Sequence, residues 1–369
     1  MTTFCFFELG NEPWANPLNG SYRIPFIFLK EALQNHYIVL PPDKVDKADI
    51  VFIYNHSKYS KIVAQKNPNA YIVLVKPHIE LPFPVNPRYF RPSDLYNLLR
   101  NFLIYDILSF NSKETMSDDF LHCKCMLSDT KQLALRYSSM GKDSIYFPLI
   151  ENFSFLPFST TKTLPSTNTR NLFFHGSRDN FIASLPFIDS VLTSVSELDI
   201  KLHVITNRSS NLPTHIRNSN IQYYKYSFDT VEYLLGLCDL GLAPTSFLPH
   251  RGYLSSLVLP LVFPRVQKNM RYTSSKLSEN AGRSFLFAQA AMPFLTTPSP
   301  EASHYFSSLT QTITCASSLE VQYLTKLLLT DSETYSSLSD ELFNISRTLL
   351  DFDQITCEFV NHLIKKSNV

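Results

Sequence analysis

Short apolar runs alternate with longer stretches of helical period along most of the chain. Phe4 to Glu8, Tyr37 to Leu40, Ala48 to Tyr54 and Ala70 to Val75 read as strands, the last two being continuous β-branched and aromatic runs. Ile24 to Gln34 and the amphipathic Ser93 to Phe110 read as helices. Lys124 to Leu127 and Ile145 to Phe147 predict two more strands, with a helix from Asp129 to Met140 between them. Strand–helix alternation of this kind implies a parallel sheet covered on both faces.

Phe153 to Asn168 is rich in Ser, Thr and Pro, has no clean period and reads as a linker. The alternation then resumes. Strands are predicted at Leu172 to Phe174, Lys201 to Thr206, Ile221 to Tyr224, Asp239 to Ala243, Phe294 to Thr297 and Thr312 to Cys315. Helices are predicted at Phe181 to Val195, after Ser227, from Ala281 to Ala291, and at Leu319 to Leu329, Glu333 to Leu349 and Gln354 to Lys365. Ser278 is positioned to cap the Ala281 helix, and Pro293 ends it. This divides the chain into an N-terminal α/β domain (1–152), a linker (153–168), a second α/β domain (169–332) and C-terminal helices (333–369).

Composition narrows the function classes. A chain of 369 residues can bury two substantial cores. With 33 basic against 32 acidic residues it lacks the basic excess of a generic nucleic-acid binder. Its eight glycines form no phosphate loop of the P-loop or dinucleotide kind, which weighs against those enzymes. His122-Cys-x-Cys125 has no second ligand pair at zinc-like spacing, so no metal site and no bound cofactor are expected. The start carries no basic, cleavable leader, and no run of about 18 apolar residues occurs. A cytoplasmic protein is the expectation.

Ligands of open α/β sheets bind beyond the carboxyl ends of the strands, which selects the candidate residues. His175, Gly176, Ser177 and Arg178 follow one strand, Asn207 another, and Thr245 a third. Ser275, Lys276, Ser278, Asn280 and Arg283 gather at a helix start, where free amides and the helix dipole favour an anion. Asn280 and Arg283 are three apart and would share a helix face. Tyr224 to Tyr226 would stack on a base or pack in the core. In the first domain, Glu12, His78 and Glu80 lie at strand ends and are of the types that serve as a general base near neutral pH. Gly252 to Pro264 is an apolar insertion flanked by Arg265, Lys268 and Arg271; it would either pack on its domain or touch a membrane.

Between Asn171 and Cys315 the order of elements resembles the donor-binding half of GT-B glycosyltransferases. The residues that carry the likeness are a capped helix, the Cys238-Asp-Leu-Gly-Leu-Ala-Pro244 strand, a variable loop, Asn280 and Arg283, and the small-small-x-Pro turn at Ala290 to Pro293. The resemblance implies two Rossmann-like domains, with C-terminal helices packing back on the first. It implies metal-independent transfer of a sugar from a nucleotide donor to a hydroxyl of a glycan or lipid-linked glycan, as in cell-surface polysaccharide or glycoconjugate synthesis. It places donor contacts in the His175 loop and at the Arg283 helix, and the acceptor in the first domain. The chain departs from the pattern at Ser278 and Leu286, where many retaining members carry Glu-x7-Glu. A different nucleotide, including a CMP-linked acid sugar such as Kdo, therefore stays open. A nucleotide-sugar epimerase of the same build and a non-catalytic two-domain sugar-binding protein are the rival readings.

Overall fold

The structure is a computed structural model and describes residues 2–8, 20–54, 58–75, 121–139, 141–152, 160–176, 178–195, 197–206, 220–244 and 281–367. The chain forms two compact units. Among the described residues, the first comprises those up to 75, those from 121 to 152 and those from 351 onward, and the second runs from 160 to 350.

The first unit is built on a six-stranded parallel sheet of order β2-β1-β3-β4-β5-β6. Its strands are β1 (Thr3–Phe7), β2 (Ile38–Leu40), β3 (Ile50–Tyr54), β4 (Tyr71–Val75), β5 (Cys125–Ser128) and β6 (Asp143–Tyr146). The inner strand β3 is buried at all five positions, whereas the edge strand β2 is partly exposed. That contrast explains why β3 reads as an unbroken apolar run. The stretch read as one helix from Ile24 divides into a π-helix, Arg23–Phe28, and an α-helix, Leu29–Gln34. Pro25, which has no backbone N–H, lies near the start of the π segment.

Aromatic rings fill this unit. Phe6 stacks on Phe52 at 4.6 Å, and Phe147 meets Phe359 edge-on at 5.2 Å. Such pairs contribute about 0.5–1.5 kcal/mol each beyond the area they bury. The helix Phe352–Ser367 supplies Phe352, Phe359, Val360 and Leu363 to that core, and Lys366 pairs with Asp143 on β6. It is thus this last helix that belongs with the first unit, while Ser318–Thr330 and Ser332–Leu349 belong with the second.

The second unit carries a five-stranded parallel sheet of order β11-β10-β7-β8-β9. Its strands are β7 (Thr169–His175), β8 (Asp199–Ile205), β9 (Ile221–Tyr224), β10 (Leu240–Ala243) and β11 (Phe294–Thr296). The helix Gly282–Gln289 crosses β10 so closely that a Cβ on Gly241 would lie 2.6 Å from the Phe287 ring. Glycine is required there by the approach of the ring. The helix ends in a left-handed turn at Ala291 (φ 50°), where Met292 donates to the Phe287 carbonyl and Ala291 to that of Ala288, both at 2.9 Å. This six-to-one, five-to-two pattern leads directly into β11.

Two sequence expectations change. Thr312 to Cys315 is not a strand: Thr310–Ile313 is helical, and Thr314 makes an isolated bridge to Thr296. Burial of Ile313 under a continuing helical turn outweighs the β-branched composition. Residues 160–168, read as part of a linker, are held against the second unit. The Lys162 amide donates to Ser339 Oγ at 2.7 Å, and its ammonium donates to the Cys238 carbonyl at 3.1 Å and to that of Leu235. These carbonyls close the helix Phe228–Leu237, an end that favours a cation.

Candidate active site

The carboxyl edge of the second sheet is where the sequence-predicted donor residues can be placed. Strand β7 delivers His175 and Gly176, after which the helix Arg178–Ser194 begins. The Gly176 amide donates to the Ile205 carbonyl at 3.2 Å, which fixes the turn against the end of β8. Just past β8 comes Thr206, 4% exposed, whose hydroxyl has no hydrogen-bond partner among the described residues. Beyond β9, Tyr226 stacks against the His175 ring at 5.2 Å and 29°. Phe228 meets Tyr226 edge-on at 6.1 Å. Ser227 between them caps its helix by accepting from the Thr230 amide at 3.1 Å, so the register of this corner is set locally.

On the other side of β7, Arg283 reaches the end of β10. Its Nη2 donates to the Pro244 carbonyl at 2.6 Å, and its guanidinium lies 5.2 Å from the centre of the Phe174 ring. Arg283 is therefore held by a backbone acceptor and by the face of Phe174, the residue before His175. A guanidinium is a planar fork of N–H donors, a shape that matches an oxyanion.

Of the predicted donor set, the structure places His175, Gly176 and Arg283 at this edge, and the Arg178 backbone beside them. Ser177, Asn207, Thr245, Ser275, Lys276, Ser278 and Asn280 lie outside the described residues, as do Glu12, His78 and Glu80 and the apolar insertion. The helix starts at Gly282, after Ala281, which offers no side-chain acceptor, and the cap expected of Ser278 falls outside the described residues. The expected helical pairing of Asn280 with Arg283 likewise falls outside the described residues. Sequence reading undervalued Tyr226 and Phe228. The signal was there in their position, flanking a helix-capping serine directly after a strand end.

In the first unit, Glu8 follows β1 and accepts a hydrogen bond from the Tyr22 hydroxyl. Burial, and then that carboxylate, push the Tyr22 phenol well above its ordinary range. Beside them is a cavity of about 260 Å³ whose wall includes Glu8, Tyr22, Lys30, Glu31 and Gln34. Among the described residues no cluster of three His, Cys, Asp or Glu side chains could hold a metal, and no helix is long and apolar enough to cross a membrane.

No protein-family model matches the sequence, and no curated protein matches it. Solved structures do match in fold. HepE of Anabaena in complex with UDP-glucose aligns over 99% of this chain and 100% of its own, at 10% identity and a TM-score of 0.55. A glycosyltransferase from Rickettsia africae aligns over 99% and 98%, at 10% identity and a TM-score of 0.59.

The chain has the GT-B fold.

A third match, S. aureus MnaA with UDP, covers 100% of this chain and 97% of that one at 14% identity, with a TM-score of 0.50. At these identities the shared feature is the GT-B architecture itself, two parallel α/β sheets, and the chemistry must be argued from this chain's own residues.

Proposed function

We propose that the protein is a glycosyltransferase that moves a sugar from a nucleotide donor to a hydroxyl of a glycan acceptor. The observation that carries this reading is the edge at β7, β9 and β10. An aromatic pair, His175 and Tyr226, and an anchored guanidinium, Arg283, flank one strand end of a GT-B fold. The aromatic pair suits a base or sugar face, and the guanidinium with the amides of the Gly282–Gln289 helix suits a diphosphate. Charge develops on that diphosphate as the sugar departs, and fixed donors aimed at it lower the barrier. Transfer would then need no bound divalent metal, and the acceptor hydroxyl would lose its proton to a carboxylate or histidine of the first unit.

UDP is the first nucleotide to test, because HepE and MnaA were solved with UDP-glucose and UDP. A CMP-linked acid sugar is the second, because Ser278 and Leu286 stand where many retaining members carry Glu-x7-Glu. The acceptor belongs to cell-surface glycan synthesis in this reading, and the basic-flanked apolar insertion favours a lipid-linked form at the inner membrane face. A cytoplasmic location is part of this reading. Calorimetry with UDP, GDP, ADP, TDP and CMP compounds tests the donor, followed by product analysis with and without chelator. Binding of UDP or CMP with chelator-resistant transfer is expected. Absence of binding to all five overturns the reading, and interconversion of the donor sugar without an acceptor supports the epimerase.

A further inference from the structure

A line of polar groups crosses the second sheet beneath its carboxyl edge. Asp239, just before β10, accepts from the Asn171 amide through Oδ2 at 2.8 Å, and its own amide donates to the Asn171 carbonyl at 2.8 Å. Asn171 Oδ1 lies 3.1 Å from His203 Nε2, and His203 Nδ1 lies 2.9 Å from the Tyr224 hydroxyl. His203 is 3% exposed and sits in the middle of β8, so its ring links β7, β8 and β9 side by side. Buried polar groups between strands cost free energy unless each is paired, and here the imidazole has a partner on either side.

We propose that His203 is a positioning residue for the nucleotide seat: by holding Tyr224 it fixes the end of β9, and through it the Tyr226 ring against His175. This rests on the donor site proposed above. Strand β9 has four residues and lies at the sheet edge, hydrogen-bonded to β8. Its last residue, Tyr224, is opposite Ile205, and Tyr226 follows two residues later. The His203 bond anchors the strand from below, and the Tyr226 ring then reaches across the end of β8 to His175. Without the lower anchor, that reach depends on four residues of edge pairing and on the Ser227 cap beyond them.

The arrangement suits a neutral ring. With Asn171 Oδ1 accepting, Nε2 carries the proton and Nδ1 accepts from the Tyr224 hydroxyl. A protonated ring has two donors, so the Tyr224 hydroxyl would have to turn its proton away. Burial and then the Lys201 ammonium draw the His203 pKa below the ordinary imidazole value. Lys201 lies on the same strand, while Tyr233 of the Phe228–Leu237 helix and Cys238 act on Tyr224. The carboxylate on this polar line, Asp239, is separated from the ring by β7.

The test uses UDP as the probe, on the full chain, by calorimetry at pH 8 and pH 6. His203→Gln and Tyr224→Phe are compared with the parent at a temperature where all three are folded by thermal melting. The parent is expected to lose no affinity through His203 at pH 6, because burial holds the folded ring neutral below the ordinary imidazole value. Both variants are expected to bind severalfold more weakly at both pH values. Equal affinity in the variants would overturn the proposal. Failure of the parent to bind any nucleotide would count against the glycosyltransferase reading instead. In that event the His175 ring resonances, assigned with His175→Asn, decide the matter. They should shift in Tyr224→Phe if the stack moves, and an unmoved signal rejects the positioning role.

Discussion

The two sheets share parallel pairing and helix-covered faces, yet their interiors are closed by different means. In the first, Phe4 and Phe6 both pack on Phe52, which meets Phe359, which in turn meets Phe147. In the second, one face combines Phe173 and Phe287 with a polar line from Asp239 through Asn171 and His203 to Tyr224. Apolar burial stabilises without direction, at about 25 cal/mol per Å². Hydrogen bonds contribute less net free energy, about 0.5–1.5 kcal/mol each, but they fix geometry. The sheet with the more directional interior is also the one whose edge assembles His175, Tyr226 and Arg283.

The largest effect expected from breaking this contrast lies in the aromatic core. Phe359 is 5% exposed and touches both Phe52 and Phe147. Phe359→Ala should cost about 3–5 kcal/mol by lost burial and cavity formation. Denaturant titration with tryptophan and far-UV signals would read it as a lowered midpoint. UDP affinity of the folded fraction should be unchanged, since the seat belongs to the other sheet.

Arg283 comes next, and it moves the opposite quantity. A charge-assisted bond to a donor phosphate is worth about 1.5–3 kcal/mol, so Arg283→Ala should slow transfer roughly ten- to a hundredfold or more. Lysine should recover part of the rate, since the planar fork is lost. The structure adds a stability cost, because alanine also removes the bond to the Pro244 carbonyl and the contact with Phe174. If melting falls while turnover per folded molecule is intact, Arg283 is a strut of the β10 end and the donor assignment for it fails.

Gly241 tests the close packing of the second sheet. An added methyl would meet three atoms of the Phe287 ring within 2.8 Å. Gly241→Ala should therefore destabilise by about 1–3 kcal/mol through overpacking. The double variant Gly241→Ala with Phe287→Leu should recover part of that loss, and thermal melting of the four proteins measures the coupling.

Legibility differed between the two sheets for the same physical reason. Strands such as β3 and β4, buried on both faces, announce themselves as apolar runs, and Pro293 marks the entry to β11. The capping box of Ser317 and Glu320 opens its helix just before the predicted Leu319 start. What the sequence did not carry was tertiary. Gly241 looks like any strand glycine until Phe287 lies on it, and Lys162 looks like linker until it meets the carbonyls of Leu235 and Cys238. His203 within a strand pattern gives no sign of its two partners, which come from positions 32 residues before and 21 after it. At the site, Arg283 was legible from its place near a helix start. His175 was named at a strand end, and Tyr226 only within Tyr224 to Tyr226, which would stack on a base or pack in the core; the contact between the two rings was not legible, because Tyr and Phe are so frequent in this chain.

The smallest effect expected is a pH dependence carried by the second sheet alone. The folded-state pKa of His203 is lowered, chiefly by burial. Above the ordinary imidazole value, near about 6.5, folded and unfolded chains both hold this ring neutral and it carries no penalty. As pH falls through that value the unfolded chain takes up a proton that the folded chain resists, so stability is lost. The loss continues until the folded value is reached, with a slope of at most about 1.4 kcal/mol per pH unit. Asp239 acts in the opposite sense, because burial raises its folded pKa above the ordinary carboxylate range. As pH falls toward that raised value, the folded chain takes up a proton more readily than the unfolded one, which offsets part of the His203 effect. Comparing the parent with His203→Gln removes the contribution common to both. Urea midpoints taken at half-unit steps from pH 7.5 to 5.5 should fall more steeply in the parent. Parallel curves would mean that His203 takes up its proton in place, and the polar line would then be a structural tie without a charge preference.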